Sequence, residues 1–441
     1  AWAIEAFADY GAENVESTFR SCYAGEEEHG SVRLPRSAVG KGRQEADEAN
    51  KPAEVEAIEA FLFSQAEFRH NVITHHCEIR WTEEAGFLPL TDRDVNTLWG
   101  RMNKTVGRVY LTDIYNVIHS EFVPLFNPFQ SYFDHLPSWD GVSDPIGDLA
   151  DTVHVKSDQA EFRDYFRKWF VGILPALLDD TVVNHEILVL IGEQGLYKTT
   201  WFNFLLPPEL RCYFYTKTNS DRLNKDDLFS LTEFALICFE ELDGMRPAEL
   251  NQLKAMVTMP YVNERAAYGR NKERHPHIAS FCGTGNNVQF LTDPTGNRRW
   301  LPFEVSQIRD PHLHAIPYEL VYSQAYALWK SGFCHWFSQE EIRVLNTHNS
   351  RFEVPNLEED LIRTHFRKPF EGEAGIFVTA ADILEQISSC LRYPLSPNKI
   401  GRIMAGLEFE SIRYKGKRGY ITVKKTGEDI DRERRSGALG L

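Results

Sequence analysis

Apolar positions along the chain fall into blocks whose spacing changes from one to the next. Residues 1–22 hold apolar positions too few to build a core. Residues 24–56, AGEEEHGSVRLPRSAVGKGRQEADEANKPAEVE, are rich in Glu, Gly, Ser and Lys and read as a flexible connector. Periodic order starts near Ala57. IEAFLFSQAEF has helical spacing, and NVITHHCEIRWTE alternates as a strand does. LTDRDVNTLWGRMNK reads as a helix capped by Thr91 or Asp92. VYLTDIYNVIHSEF reads as a second helix capped by Thr112. Strand, helix, helix outlines a small winged-helix-like module over roughly 57–125. A helical collar packing the next domain fits the pattern equally well. Residues 124–141, PLFNPFQSYFDHLPSWDG, are dense in aromatics and proline and read as a packed connector, so this first module with its connector spans 57–150.

In the next block, EFRDYFRKWFVGILPALL places Phe166, Phe170, Ile173 and Leu177 on one helical face, the spacing of core residues. Ile187 to Ile191 are five consecutive apolar residues, as expected of a strand buried in a parallel sheet. That run enters Gly192-Glu193-Gln194-Gly195-Leu196-Tyr197-Lys198-Thr199-Thr200 and then an apolar helix. Strand, glycine-rich loop and helix are the context of a phosphate-binding P-loop. Backbone N–H groups of such a loop, with the helix N-terminus, form a positive nest for phosphate. Lys198 stands six residues after Gly192, a spacing that lets its ammonium reach the β and γ phosphates of ATP, and the Thr199 hydroxyl is placed for Mg²⁺. Tyr197 stands where such loops carry a second glycine. It requires a side chain aimed away from the phosphates, or a backbone that keeps φ negative.

The same chemistry needs an acid at the end of a neighbouring strand. FALICFEELDG supplies Glu240, expected to hold Mg²⁺ through water, and Glu241, expected to polarise the attacking water. HIASFCGTGNN, residues 277–287, reads as a third strand, with Asn286 placed to sense the γ phosphate. Arg298 and Arg299 follow on the turn LTDPTGNRRW and have the placement of an arginine finger reaching into a neighbouring subunit. Residues 260–275 gather Arg265, Arg270, Lys272 and Arg274 with Tyr261 and Tyr268, cations for phosphates and rings for bases. A solvated charged hairpin is the plainer alternative.

Residues 346–371 read as a connecting helix and linker. FVTAADILEQISSCL follows, with Thr379 as a cap, then a helix capped by Ser396 ahead of Pro397, then SIRYKGKRGYITVKK as a hairpin. Helix, helix and basic hairpin outline a winged-helix-like module over 372–426, with a charged tail at 427–441. Residues 413–425 hold Arg413, Lys415, Lys417, Arg418, Lys424 and Lys425 and no acid. Such a wing suits DNA backbone phosphates, and a protein-interaction module is the alternative.

Composition narrows the classes. The chain of 441 residues has 64 acidic against 48 basic side chains, a formal charge of −16. That excludes a binder held to DNA by net charge alone, but not an acidic enzyme with local basic patches. The seven cysteines, Cys22, Cys77, Cys212, Cys238, Cys282, Cys334 and Cys390, include no C-x-x-C pair. They read as free thiols of a cytoplasmic protein. No apolar run approaches the ~18 residues of a membrane helix. The N-terminus is not a signal peptide and lacks an initiator Met, as expected of a piece cut from a longer protein.

GEQGLYKTT, EELDGMRPAELNQLKAMVTM, NERAAYGR, FCGTGNNVQFL and DPTGNRRWLPFEV, in that order, resemble the virulence-associated protein E family over roughly 70–345. FNPFQSYFDHLPSWDG shares the likeness. These are phage- and mobile-element ATPases related to superfamily 3 helicases and to phage or plasmid primase-helicases. The resemblance implies an α/β P-loop core of the AAA+ type over 151–345, a parallel sheet with flanking helices. It also implies ATP-driven translocation on single-stranded or forked DNA by a homo-oligomeric ring such as a hexamer, and in some members a primase-type domain upstream. Lys198 and Thr199 match the phosphate-loop pair, Glu240 and Glu241 the acidic strand end, Asn286 the sensor, and Arg298 and Arg299 the arginine pair. Lys254 and Arg265 fall in an extra motif whose region forms a pore-facing hairpin in related proteins. A nucleotide-gated binding switch with little turnover is the second reading. A small-molecule kinase explains neither the arginine pair nor the basic wing.

Overall fold

The computed structural model describes residues 53–218, 225–264, 273–292, 297–354, 357–370, 372–388 and 396–429. They divide into two units, the first ending at Leu125 and the second made of Val72–Thr74 and the chain from Phe126 onward.

In the first unit, helix α1 (Val55–Gln65) leads into antiparallel strands β1 (Ala66–Asn71) and β2 (His76–Trp81), and β3 (Leu88–Pro89) pairs with β2. Helices α2 (Asp92–Thr105) and α3 (Leu111–Ile118) follow, and the unit ends at the first residue of β4 (Leu125–Phe126). Ala66 takes extended backbone, so the helical stretch expected through Phe68 stops at Gln65 and its last residues join the strand. Thr91 caps α2 in a capping box with Asp94. Thr112 is not the cap of α3. That position is Tyr110, whose N–H donates to the Asp113 carboxylate at 3.1 Å. Ile58, Leu62, Ile79, Leu98, Met102 and Ile114 form the core of this unit.

The second unit begins with α4 (Pro128–Asp134) and α5 (Pro145–Ala150), capped by Asn127 and Asp144. Strand β5 (Val153–Val155) and the long α6 (Gln159–Leu178) lead to β6 (Ile187–Ile191) and α7 (Lys198–Leu205). Then come β7 (Phe214–Lys217), α8 (Lys225–Glu233), β8 (Leu236–Phe239) and α9 (Pro247–Val257). The pair β9 (Tyr261–Glu264) and β10 (Glu273–Pro276) precedes β11 (Ser280–Gly285) and β12 (Trp300–Ile308). The six-stranded sheet has the order β5-β12-β6-β11-β8-β7. Five strands are parallel, and β5 runs antiparallel to β12 at the edge.

Every residue of β6 is fully buried. Alternation along the strand explains this: Leu188 and Leu190 join one core with Phe166, Trp169, Phe170 and Trp201, while Ile187, Val189 and Ile191 join another with Phe239, Leu253 and Trp300. Phe166, Phe170, Ile173 and Leu177 of α6 all lie in the first core, as their spacing predicts. Both faces of the central strand are thus covered, and only its two ends are available for chemistry.

Helices α10 (Tyr318–Lys330) and α11 (Gln339–Asn349) follow β12. Within 346–371, the stretch expected to connect, helix α12 (Leu357–His365) and strand β13 (Phe366–Arg367) form. They do so because Ile362 and Phe366 are buried in the same core as Ile383, Ile400 and Met404 farther on. β14 (Ile376–Val378), α13 (Ala380–Ser388), α14 (Pro397–Gly406), β15 (Ser411–Tyr414) and β16 (Lys417–Lys424) complete this region. β16 pairs with β13, β14 and β15. Thr379 Oγ1 accepts the Asp382 N–H, and Ser396 Oγ the Lys399 N–H, both at 3.3 Å. The tip of the final hairpin is Lys415-Gly416, both at positive φ, the geometry of a tight two-residue turn. Among the described residues Cys77, Cys212, Cys238, Cys282 and Cys334 are free thiols, and no helix is long and apolar enough to cross a membrane.

Candidate functional site

Parallel strands β6, β11 and β8 end at the same edge of the sheet, and the loops that leave them meet there. Gly192 follows β6, and its N–H donates to Gly285 O at 3.1 Å. A Cβ on Gly192 would lie 2.9 Å from Val305 O, so only glycine lets the chain pass. The loop turns back through Gly195 at φ +85° and Tyr197 at φ +60° before α7 starts at Lys198. Of the two conditions that Tyr197 invited, the negative φ is not met. The backbone takes the left-handed form, and the ring is 42% exposed.

Lys198 is buried at the start of α7. Its Nζ donates to Gly192 O at 2.6 Å and Glu193 O at 2.7 Å, and lies 3.5 Å from Asn286 Oδ1. Burial pushes its ammonium below the ordinary lysine value, and Asp243 pulls the other way. Thr199 Oγ1 donates to Glu240 Oε1 at 2.8 Å, joining the loop to the acid at the end of β8. Glu241 follows at φ +54°, so two of the five described non-glycine residues at positive φ, Tyr197 and Glu241, lie at this edge. Side chains held this way cluster where function outweighs strain.

A cavity of about 350 Å³ lies at this edge. Its walls are residues 194–200, Glu240, Glu241, Thr284, Gly285 and Asn286. Gly192 and Glu193 of the expected set stand behind the wall, where their carbonyls hold Lys198. Sequence reasoning missed Asp243. Its carboxylate accepts the N–H groups of Asn286 and Asn287 at 3.1 Å each and Asn287 Nδ2 at 2.8 Å. It thereby fixes the end of β11. A lone Asp three residues past Glu240 carries no recognisable spacing, so nothing in the pattern marked it.

Arg298 and Arg299 lie elsewhere. They occupy a single 3₁₀ turn just ahead of β12, and Trp300 pairs in register with Ile187 at the start of β6. Five residues of strand, about 16 Å, separate them from the loop that leaves the other end of β6. Arg298 is exposed and Arg299 half-buried. Burial, then the Arg298 charge, push the Arg299 guanidinium below its ordinary value, while Glu186 opposes them. The Glu186 carboxyl, beside the first residue of β6, is itself pushed up to about 7 by burial.

Of the residues expected on DNA, Lys254 must be corrected. It lies on the inner face of α9 and is 8% exposed, in line with the core residues Leu250, Leu253 and Val257 rather than on an open surface. Arg265, Arg270 and Lys272 fall outside the described residues. Arg274 is exposed on β10, its guanidinium 3.7 Å from the centroid of the Tyr261 ring across the hairpin. Arg413, Lys415, Lys417 and Arg418 are exposed on the last hairpin, with Arg413 directly opposite Arg418. Arg418 Nε donates to Ser411 Oγ at 2.7 Å.

Residues 134–354 match the virulence-associated protein E-like domain. No curated protein matches the chain. Among solved structures, the apo structure of the NrS-1 C-terminal region is 12% identical, covers 84% of this chain and 99% of its own, and has a TM-score of 0.44. An A-form apo structure of the same region is also 12% identical, with the same coverage and a TM-score of 0.43.

Proposed function

The chain belongs to the virulence-associated protein E-like family, with residues 134–354 of its 441 inside that domain, and on that basis we propose an ATP- and Mg²⁺-dependent DNA-translocating ATPase. Its role would be that of a helicase in the replication of a phage or other mobile element. The observation that carries this reading is the meeting of Thr199 and Glu240 at 2.8 Å, beneath a loop whose lysine is already turned inward.

Each group at this edge has chemistry that fits. The loop 192–197 and the N-terminus of α7 offer backbone N–H groups to phosphate. Lys198 is held only by carbonyl oxygens among its close contacts, and a γ phosphate is a stronger acceptor, so the side chain is free to transfer. Thr199 and Glu240 present a hydroxyl and a carboxylate, the hard oxygen donors that Mg²⁺ takes. Bound there, Mg²⁺ would supply charge neutralisation between the β and γ phosphates. Glu241, on the cavity wall, orients the attacking water and draws on its proton. Asn286, fixed by Asp243, reports the γ phosphate from the next strand.

Arg298 and Arg299 cannot serve the loop of their own chain across the length of β6. Their place at the opposite edge supports action in trans, and hence a ring in which each site is completed by a neighbour. We read the region 357–426 as a winged-helix module whose hairpin, with Arg274 on β10, contacts single-stranded or forked DNA. A primase-type domain upstream in the full-length protein fits the same biology.

One observation favours a second reading, a nucleotide-gated switch with slow turnover: Tyr197 holds the left-handed position next to the catalytic lysine. Steady-state ATPase with and without single-stranded DNA, alongside Lys198→Ala, separates the two. Stimulation lost in the variant, followed by strand displacement, is the motor's signature. ATP binding that needs Lys198 but no stimulation by DNA would overturn the motor and leave the switch.

A further inference from the structure

The turn that carries the arginine pair is held by side chains some fifty residues farther along the chain. Asn349, the last residue of α11, is fully buried. Its amide Nδ2 donates to Asn297 O at 2.8 Å and to Trp300 O at 3.0 Å. An amide nitrogen has two hydrogens. Both are used here, one on the carbonyl just before Arg298 and the other on the carbonyl just after Arg299. Asn297, also buried, donates its own Nδ2 to Glu353 Oε1 at 2.7 Å. Residues 297–300 are thus gripped from two points on one short segment.

That segment is itself anchored. His348 Nε2 lies 2.7 Å from Pro302 O on β12, and its Nδ1 lies 2.9 Å from Glu161 Oε2 on α6. The next residues reach back to the chain that leaves Asn286. Phe290 and Leu291 N–H groups each donate to Phe352 O at 3.0 Å, and Val354 N–H donates to Leu291 O at 2.8 Å. Segment 348–354 therefore touches both the stretch that follows the sensor and the turn that bears the arginines.

We propose that Asn349, assisted by Glu353, is a positioning residue for Arg298 and Arg299, setting the pair for the nucleotide site of a neighbouring subunit. This rests on the trans-arginine reading above. The side chain touches no nucleotide. It fixes the two carbonyls that bracket the arginines, so the guanidinium groups leave the surface from a defined backbone. An angstrom of error in such placement costs on the order of a hundredfold in rate.

The test mixes subunits of the full chain. Asn349→Leu removes both donors while keeping the branched shape of the side chain, and its DNA-stimulated ATPase should fall at least tenfold when assayed alone. Lys198→Ala is inactive alone but keeps intact arginines. In a one-to-one mixture, an Asn349→Leu loop faces a Lys198→Ala arginine pair, so complete sites re-form and activity should rise well above the sum of the two. A mixture no better than that sum overturns the clamp. The Arg298→Ala/Arg299→Ala double variant mixed with Lys198→Ala is the control. If it fails to complement, the trans reading itself falls. If it complements and Asn349→Leu does not, the clamp alone falls. Should Asn349→Leu lose its folded circular-dichroism signal, the same mixing is read with Glu353→Leu. Glu353→Gln keeps the accepting oxygen and should recover most of what Glu353→Leu loses, and equal loss in the two would count against the proposal.

Discussion

Asp243 accepts the backbone N–H of Asn286 at 3.1 Å, so the residue just past β11 is fixed by one from the turn after β8. Asp243→Ala removes three accepted hydrogen bonds at once. We expect ATP-analogue affinity to change little, since the loop and Lys198 remain. Turnover should drop by about 10–100-fold as Asn286 loses its place. Equilibrium binding measured beside kcat decides it, and an equal loss in both would mean that Asp243 shapes the site before chemistry.

Tyr197 holds a backbone form that costs a side-chain-bearing residue about 1–2 kcal/mol. Tyr197→Gly removes that strain but adds about 0.5–1 kcal/mol of chain entropy to the unfolded state, so urea melts should place it within ~1 kcal/mol of the parent. Tyr197→Val should be destabilised by a further ~1–2 kcal/mol, because a β-branched residue tolerates positive φ poorly. Equal stability of the valine and glycine variants would contradict the strained loop.

His277 is buried, its Nδ1 2.6 Å from Met259 O, and burial pushes its pKa down to about 4. Between about pH 4 and 6.5 the unfolded chain binds a proton that the native ring refuses. Unfolding free energy should therefore rise with pH across that window by roughly 3 kcal/mol from this residue. The rise should be missing from the stability curve of His277→Asn, whatever its offset at neutral pH, and so should appear in the difference between the two curves. Parallel stability curves for the two proteins would rule it out.

The final hairpin and Lys254 make opposite predictions. Lys415→Ala/Lys417→Ala should weaken single-stranded DNA binding at every sequence. It should also flatten the dependence of log K on log salt by about 0.7 for each phosphate that is no longer neutralised. Lys254→Ala should lower the melting temperature and leave that slope alone, because the side chain is buried in α9. A change of salt slope in Lys254→Ala would restore it to the DNA-facing set.

What could be read from the chain was what lies close together in it. The buried strand, the glycine turns, Lys198 and Thr199 fall within thirteen residues, and apart from Tyr197 each local preference agrees with the next. Ser396 before Pro397 announced α14 for the same reason. Lys254 entered the DNA-facing set through the family motif it falls in, and its own helical position points the other way. Leu250, Leu253, Lys254 and Val257 form one helical stripe, and that stripe faces the core. The region 357–367 looked like a connector because three acids open α12, while the residues that bury it, Ile362 and Phe366, find partners only after Ile376. The antiparallel edge β5, the brace at Asp243 and the grip of Asn349 depend on contacts between distant segments, and no periodicity encodes those.

The inward turn of Lys198 has a consequence for how the site fills and empties. Its ammonium has already shed much of its water and sits on the carbonyls of Gly192 and Glu193. On the proposed reading, loading ATP would be a swap of acceptors rather than the capture of a freely hydrated cation. The two carbonyls would then act as a parking place, to which the lysine returns when phosphate leaves. A loop built this way would keep its shape between turnovers, so that each cycle would restart from a site that has not collapsed.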